Sequence, residues 1–174
     1  AFAAFDVGVP RSIRVRADGF AAQTLPVTLP AGTTTGLVEA TLFRRASGRS
    51  MTSAELGGTM MASDGAMVSL PVEGLVDGAG NTVSGDIEVF VTPVDVADDN
   101  ERAGFPGQIA GVQPDGERVL IASYGTVEYV FEQNGQELQL APGKSATVEI
   151  PIYTGGAEEG EQIALWSVDE ETGL

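Results

Sequence analysis

The sequence predicts an all-β protein of antiparallel sandwiches, a short group of strands first and a larger sandwich after them. Three observations carry this. The 23 Gly and 9 Pro residues punctuate the 174-residue chain, at roughly every ten residues, the turn rhythm of sandwiches and barrels. Short runs of Val, Ile, Thr and Phe fill the intervals, and these residues suit a pleated, half-buried surface. No stretch sustains the 3.6-residue apolar period of an amphipathic helix.

The elements follow in order. Arg11-Ser-Ile-Arg-Val-Arg16 alternates Ile13 and Val15 with arginines, the pattern of a strand with one polar face. Asp18-Gly19 is a hairpin turn signal, because Gly accepts the positive φ that tight turns require. A second strand is expected over 20–29, a turn at Pro30-Ala-Gly32 and a third strand over 36–43. Residues 44–53 are polar and small and read as a linker, so the expected domains are 1–46 and 54–174.

Beyond the linker, Met60-Met61 and Ala66–Leu70 bracket the turn Ser63-Asp64-Gly65, and Pro71 ends the run. Val72–Val76 leads into a broad turn at Asp77-Gly-Ala-Gly-Asn81. Residues 86–92 give the cleanest strand, with Ile87, Val89 and Val91 on one face. Residues 93–114 form a long acidic segment, which reads as an irregular interaction loop. Further strands are expected near 118–122, 126–132, 136–140, 145–152 and 162–168, with Asn134-Gly135 as the strongest hairpin signal. In the last of these, Trp166 shares a face with Ala164 and Val168 and is expected to plug a core.

Composition narrows the chemistry. The chain has no His and no Cys, which removes the commonest general base, the commonest transition-metal ligand and thiol catalysis. Carboxylates, hydroxyls, Tyr and the single Lys144 remain, and Lys144 sits in a turn after Pro142-Gly143, where solvation is expected. Gly78-Ala-Gly80 lacks the strand–loop–helix context and the Lys-Ser/Thr of a phosphate loop. A glycan-acting carboxylate pair would need an aromatic-lined cleft, and aromatics are 6% of residues. The reading is therefore non-enzymatic.

The net charge is −16. Residues 1–49 hold six Arg against three acids, net +3, and residues 50–174 hold three basic residues against 22 acids, net −19. Such a field repels nucleic acid and anionic lipid, and no run approaches the ~20 apolar residues of a membrane span. The expected partners are proteins or further copies of the chain, whose unlike halves suit head-to-tail contacts. Calcium is the one ion the sequence suggests. Asp95, Asp98, Asp99 and Glu101 crowd carboxylates into a short stretch of the 93–114 loop, and Ca²⁺ takes six to eight such oxygens. The spacing lacks the EF-hand pattern. A lesser cluster is Asp169-Glu-Glu171.

Three stretches together carry a family resemblance: Gly57-Gly-Thr with Val68-Ser-Leu-Pro71; Val83-Ser-Gly-Asp-Ile-Glu-Val-Phe-Val-Thr-Pro93; and Leu138-Gln-Leu-Ala-Pro-Gly-Lys-Ser-Ala-Thr-Val-Glu-Ile-Pro-Ile152 followed by Ile163-Ala-Leu-Trp-Ser-Val-Asp-Glu-Glu-Thr-Gly173. They resemble the β-sandwich module of cartilage intermediate layer proteins and many bacterial surface proteins, and more distantly the ZU-type sandwich of netrin receptors and ankyrins. Residues 11–44, with Val15-Arg-Ala-Asp-Gly-Phe20, look like the last strands of a carboxypeptidase regulatory-like domain, which implies Ig-like or transthyretin-like strands ahead of the larger ZU-like sandwich. The resemblance implies a structural or adhesive module of a larger cell-surface or secreted protein. It also implies strands before residue 1 and after residue 174, so both ends read as truncated. Related receptor sandwiches cleave themselves at a His-Phe-Ser-like site, and this chain has no His.

Overall fold

A computed structural model describes residues 8, 11–33, 35–51, 53–62, 64–105, 110–113 and 115–168. The alternation of Ile13 and Val15 with arginines forms strand β1, Arg11–Val15, which pairs antiparallel with β2, Gln23–Val27, from Arg11↔Val27 to Val15↔Gln23. Between them Gly19 takes a φ of 77° as Phe20 N donates to Ala17 O. The expected strand over 36–43 does not form. This stretch is held at its far end, where Ala21 N donates to Phe43 O and Phe20 bridges Arg44, and Leu37 is 96% exposed.

The polar stretch expected as a linker contains β3, Arg49–Met51, followed by a single 3-10 turn at Ala54–Leu56. Met51 and Ala54, the small apolar content of that stretch, are buried, and their burial is what makes it an element. Strands β4, Gly58–Met61, and β5, Met67–Leu70, make the expected hairpin, closed by Ala62 N donating to Ala66 O. After it come β6, Leu75–Val76, and β7, Ile87–Val94.

The acidic segment is not wholly irregular. It begins inside β7, carries the short helix α1, Asp99–Ala103, and enters β8, Ala110–Val112, which pairs with β9, Arg118–Leu120. Then follow β10, Thr126–Gln133, β11, Gln136–Glu137, β12, Gln139–Leu140, and β13, Thr147–Glu149. Asn134 (φ 53°) and Gly135 (φ 74°) make the tight turn between β10 and β11, as expected for Asn-Gly with positive φ at both central positions. Residues 162–168 form no strand, and Trp166 is 40% exposed, with its ring over the Gly111 backbone. An unpaired stretch gives the indole no second sheet to enter.

The elements gather into two compact units. One takes Ala1–Arg44, Asp98–Ser123 and Ala157–Leu174, and the other takes Arg45–Ala97 and Tyr124–Gly156. In the first, the described strands are the hairpins β1–β2 and β8–β9. Gln23 is buried there and its amide donates to Ala103 O and Phe105 O, which ties β2 to the end of α1.

The second unit is a β-sandwich. One layer is the sheet β11-β10-β7-β3, and against its inner face lie β13-β5-β4 and β12-β6. The register Phe131↔Val89 and Tyr129↔Val91 sets aromatic against β-branched residues on that face. Met51, Val68, Leu75, Ile87, Val89 and Phe131 meet in the core between the layers. Leu75, Val68 and Val89 are each about 1% exposed, and burying a side chain of this size stabilises by about 1.5–3 kcal/mol.

On the opposite face of the same sheet, Arg45 lies across Phe90, 5.5 Å from the ring centroid. It reaches Glu128 at 3.2 Å and Glu132 at 3.3 Å. One residue on, Ala46 N donates to Thr92 Oγ1. Glycine is required at Gly57, where φ is 67° and a Cβ would lie 2.7 Å from Pro71 O.

Candidate functional site

The acidic segment was the expected ligand site, and two of its carboxylates, Asp95 and Asp98, accept from their own backbone. Asp95 Oδ1 accepts from Ala97 N at 2.8 Å, closing a turn at the end of the sandwich unit. Asp98 begins the next segment of the other unit as the N-cap of α1. Its Oδ1 accepts from Asn100 N at 2.8 Å and Glu101 N at 3.2 Å. These donors, Glu101 first and Asn100 second, hold the Asp98 carboxyl below the ordinary carboxylate range, since they stabilise the charged form. Asp99 forms an ion pair with Arg102 one turn along the helix. Asp99 and Glu101 are both acidic side chains of the first turn, where the helix dipole favours them. Among the described residues no three acidic side chains gather as a metal-holding group. The cluster Asp169-Glu-Glu171 lies outside the described residues.

Two further carboxylates are also committed to turns. Asp77 accepts from the Asn81 side chain and from the backbone of Asn81 and Ala79. Those bonds, the Asn81 side chain foremost, lower its pKa and set the broad turn before β7. Glu55 accepts from Gly85 N at 2.8 Å, and that backbone donor lowers its pKa. Tyr129 on β10 moves the other way. Burial, and then the charge of Glu149, push its phenol up to about 12. A phenol so stabilised in its neutral form is no nucleophile near neutral pH. Lys144, expected to be solvated, donates to Val72 O at 2.9 Å and so pins one turn to another.

A groove of about 250 Å³ opens on the sandwich. Its walls are Ala46–Arg49 at the start of β3 and Met60–Ala62 at the end of β4, and Val89, Val91 and Pro93 of β7 form its floor. β3 and β4 are terminal strands of their sheets, so each presents a row of main-chain donors and acceptors toward its open side. Arg49 and Asp64 are the charged residues of the lining. The volume falls short of the ~300 Å³ at which small-molecule pockets begin. What the groove offers is sheet-edge hydrogen bonding beside apolar surface, such as Met61 at 51% exposure. Sequence reasoning missed this feature because its β3 wall lies in the stretch read as a linker. The only sequence hint was Met51, a large apolar side chain set among small polar residues.

Fold and site together define an all-β protein with a sandwich whose polar groups serve architecture. A human protein, cartilage intermediate layer protein 2, is 32% identical over 97 residues. That match covers 55% of this chain and 8% of the human protein, so the chain corresponds to a small part of its relative. No family model matches the chain, and no solved structure matches it.

Proposed function

We propose that this chain is a non-enzymatic structural or adhesive module of a larger cell-surface or secreted protein. The observation that carries the reading is the 32% identity to part of cartilage intermediate layer protein 2. Two observations support it: the carboxylates of Asp77 and Asp98 cap a turn and a helix, and a groove of the sandwich lies at sheet edges suited to another polypeptide. In this reading the sandwich of Arg45–Ala97 and Tyr124–Gly156 is the core of the ZU-like module expected over 54–174, and residues 1–46 are the end of a carboxypeptidase regulatory-like domain. Its partners are other proteins or further copies of the chain, met through open strand edges.

Location is the first test. In cells that make the parent protein, protease added to intact cells, or direct sampling of the medium, is expected to yield peptides from Arg45–Gly156. Confinement of those peptides to the cytosol overturns the reading. Light scattering at physiological salt then separates the partners: growth of mass with concentration supports self-assembly, and a strict monomer leaves unlike proteins. A calcium titration read by melting temperature distinguishes a ligand-binding role for 93–114. A bound ion at 100 times its Kd stabilises by about 2.7 kcal/mol, whereas magnesium at equal ionic strength reports screening alone.

A further inference from the structure

We propose that Asn134-Gly135 is a self-modification site, at which the turn between β10 and β11 loses its side-chain amide spontaneously and ages the sandwich. The chain has three asparagines, Asn81, Asn100 and Asn134, and the structure treats them differently. The reaction needs the backbone nitrogen of the following residue to reach the asparagine Cγ. That nitrogen must be unencumbered, and the side-chain amide must be free to turn.

Asn81 fails on both counts. Its Nδ2 is held by both carboxylate oxygens of Asp77, at 3.3 and 3.0 Å, and the β-branched Thr82 follows it in a bridge to Val76. Asn100 lies in α1, and the nitrogen it would need, Glu101 N, already donates to Asp98 Oδ1 at 3.2 Å. Asn134 and Gly135 are both exposed at a hairpin tip. Among the described residues neither the Asn134 side chain nor the Gly135 N–H takes part in a hydrogen bond. Gly135 has no Cβ to crowd the approach, and its φ of 74° is one that glycine adopts freely.

The chemistry balances without an oxidant or cofactor. Gly135 N gives its proton to hydroxide or water and attacks Asn134 Cγ. The Cγ–Nδ2 bond breaks, and ammonia leaves with a proton returned from solvent. Water then opens the five-membered imide at either carbonyl, giving an aspartyl or an isoaspartyl linkage. Both products add a negative charge beside the facing pair Glu132↔Glu137, and like charges across strands destabilise. The aspartyl form keeps the turn, since Asp-Gly is also favoured there. The isoaspartyl form inserts a methylene into the main chain between Gln133 and Gln136, which pair across the turn. It therefore strains the register up to Leu138, whose N–H donates to Phe131 O.

The test is incubation of the folded protein in mildly alkaline buffer, with peptide mass spectrometry over time and a urea-unfolded sample alongside. The expected result is conversion of amide to acid at 134, with isoaspartyl fragments, while positions 81 and 100 keep their amides. Asn134→Gln abolishes the conversion, because the corresponding ring is larger and closes slowly. Retention of the amide at 134 in the folded protein, while the unfolded sample loses it, overturns the proposal. So does conversion of Asn81 or Asn100 at an equal rate in the folded protein.

Discussion

Arg45 shows how much one side chain can organise. Its guanidinium joins Glu128 and Glu132 on β10 while lying over the Phe90 ring on β7, and the three charged side chains are only 20–24% exposed. Arg45→Met leaves two carboxylates facing one another on one strand face. It is expected to cost about 1–2 kcal/mol, between the worth of an exposed pair and that of a buried one. Arg45→Lys recovers only part, since a point charge lacks the planar fork that spans both acids. Urea midpoints measure both. Asp98, Asp77 and Glu55 have lowered pKa values, so their contribution is present above the unfolded-state value near 4 and fades as pH falls through the folded ones. Melting temperature should therefore fall on acidification, with a shallower slope in Asp98→Ala. Tyr129 has the opposite sign. Its raised value leaves its contribution complete below the unfolded pKa near 10, and that contribution is lost as pH rises through about 12. Tyr129→Phe removes that alkaline step, as ultraviolet titration with circular dichroism would show.

Among the elements, those with a strict alternation or a turn signature were readable in the sequence. β7 buries Ile87, Val89 and Val91 as its pattern requires, and Asn134-Gly135 sets the β10–β11 turn. Elements made by partners rather than pattern were not. β3 exists because Met51 and Ala54 have a core to enter, whereas among the described residues no strand ladder forms along 36–43 or 162–168, where sequence alone suggested strands. For α1 a signal was present, since Asp98 with Glu101 three residues later is a helix-start pattern. The same residues carry the calcium expectation, and sequence alone gives no way to see that Asp95 and Asp98 each accept from their own backbone while Asp99 pairs with Arg102. The groove was invisible for a related reason, as one of its walls leads into β3, an element that the sequence pattern did not show. Two substitutions test the sandwich as an element assembly. Leu75→Ala should cost about 2–5 kcal/mol by opening a cavity. Gly57→Ala should also be strongly destabilising, because its φ of 67° and the nearby Pro71 O leave no place for a methyl group. Chemical denaturation of each variant checks both.

At the scale of the whole molecule, 25 acids against nine basic residues make self-repulsion a general term. Raising sodium chloride from low to physiological concentration shortens the Debye length to about 8 Å and should raise the melting temperature. The covalent path of the chain has a separate consequence. It passes between the two compact units four times, after Arg44, Ala97, Ser123 and Gly156. The units are thus stitched rather than strung: a protease that cuts one crossing releases neither, and no single contiguous deletion removes one unit intact.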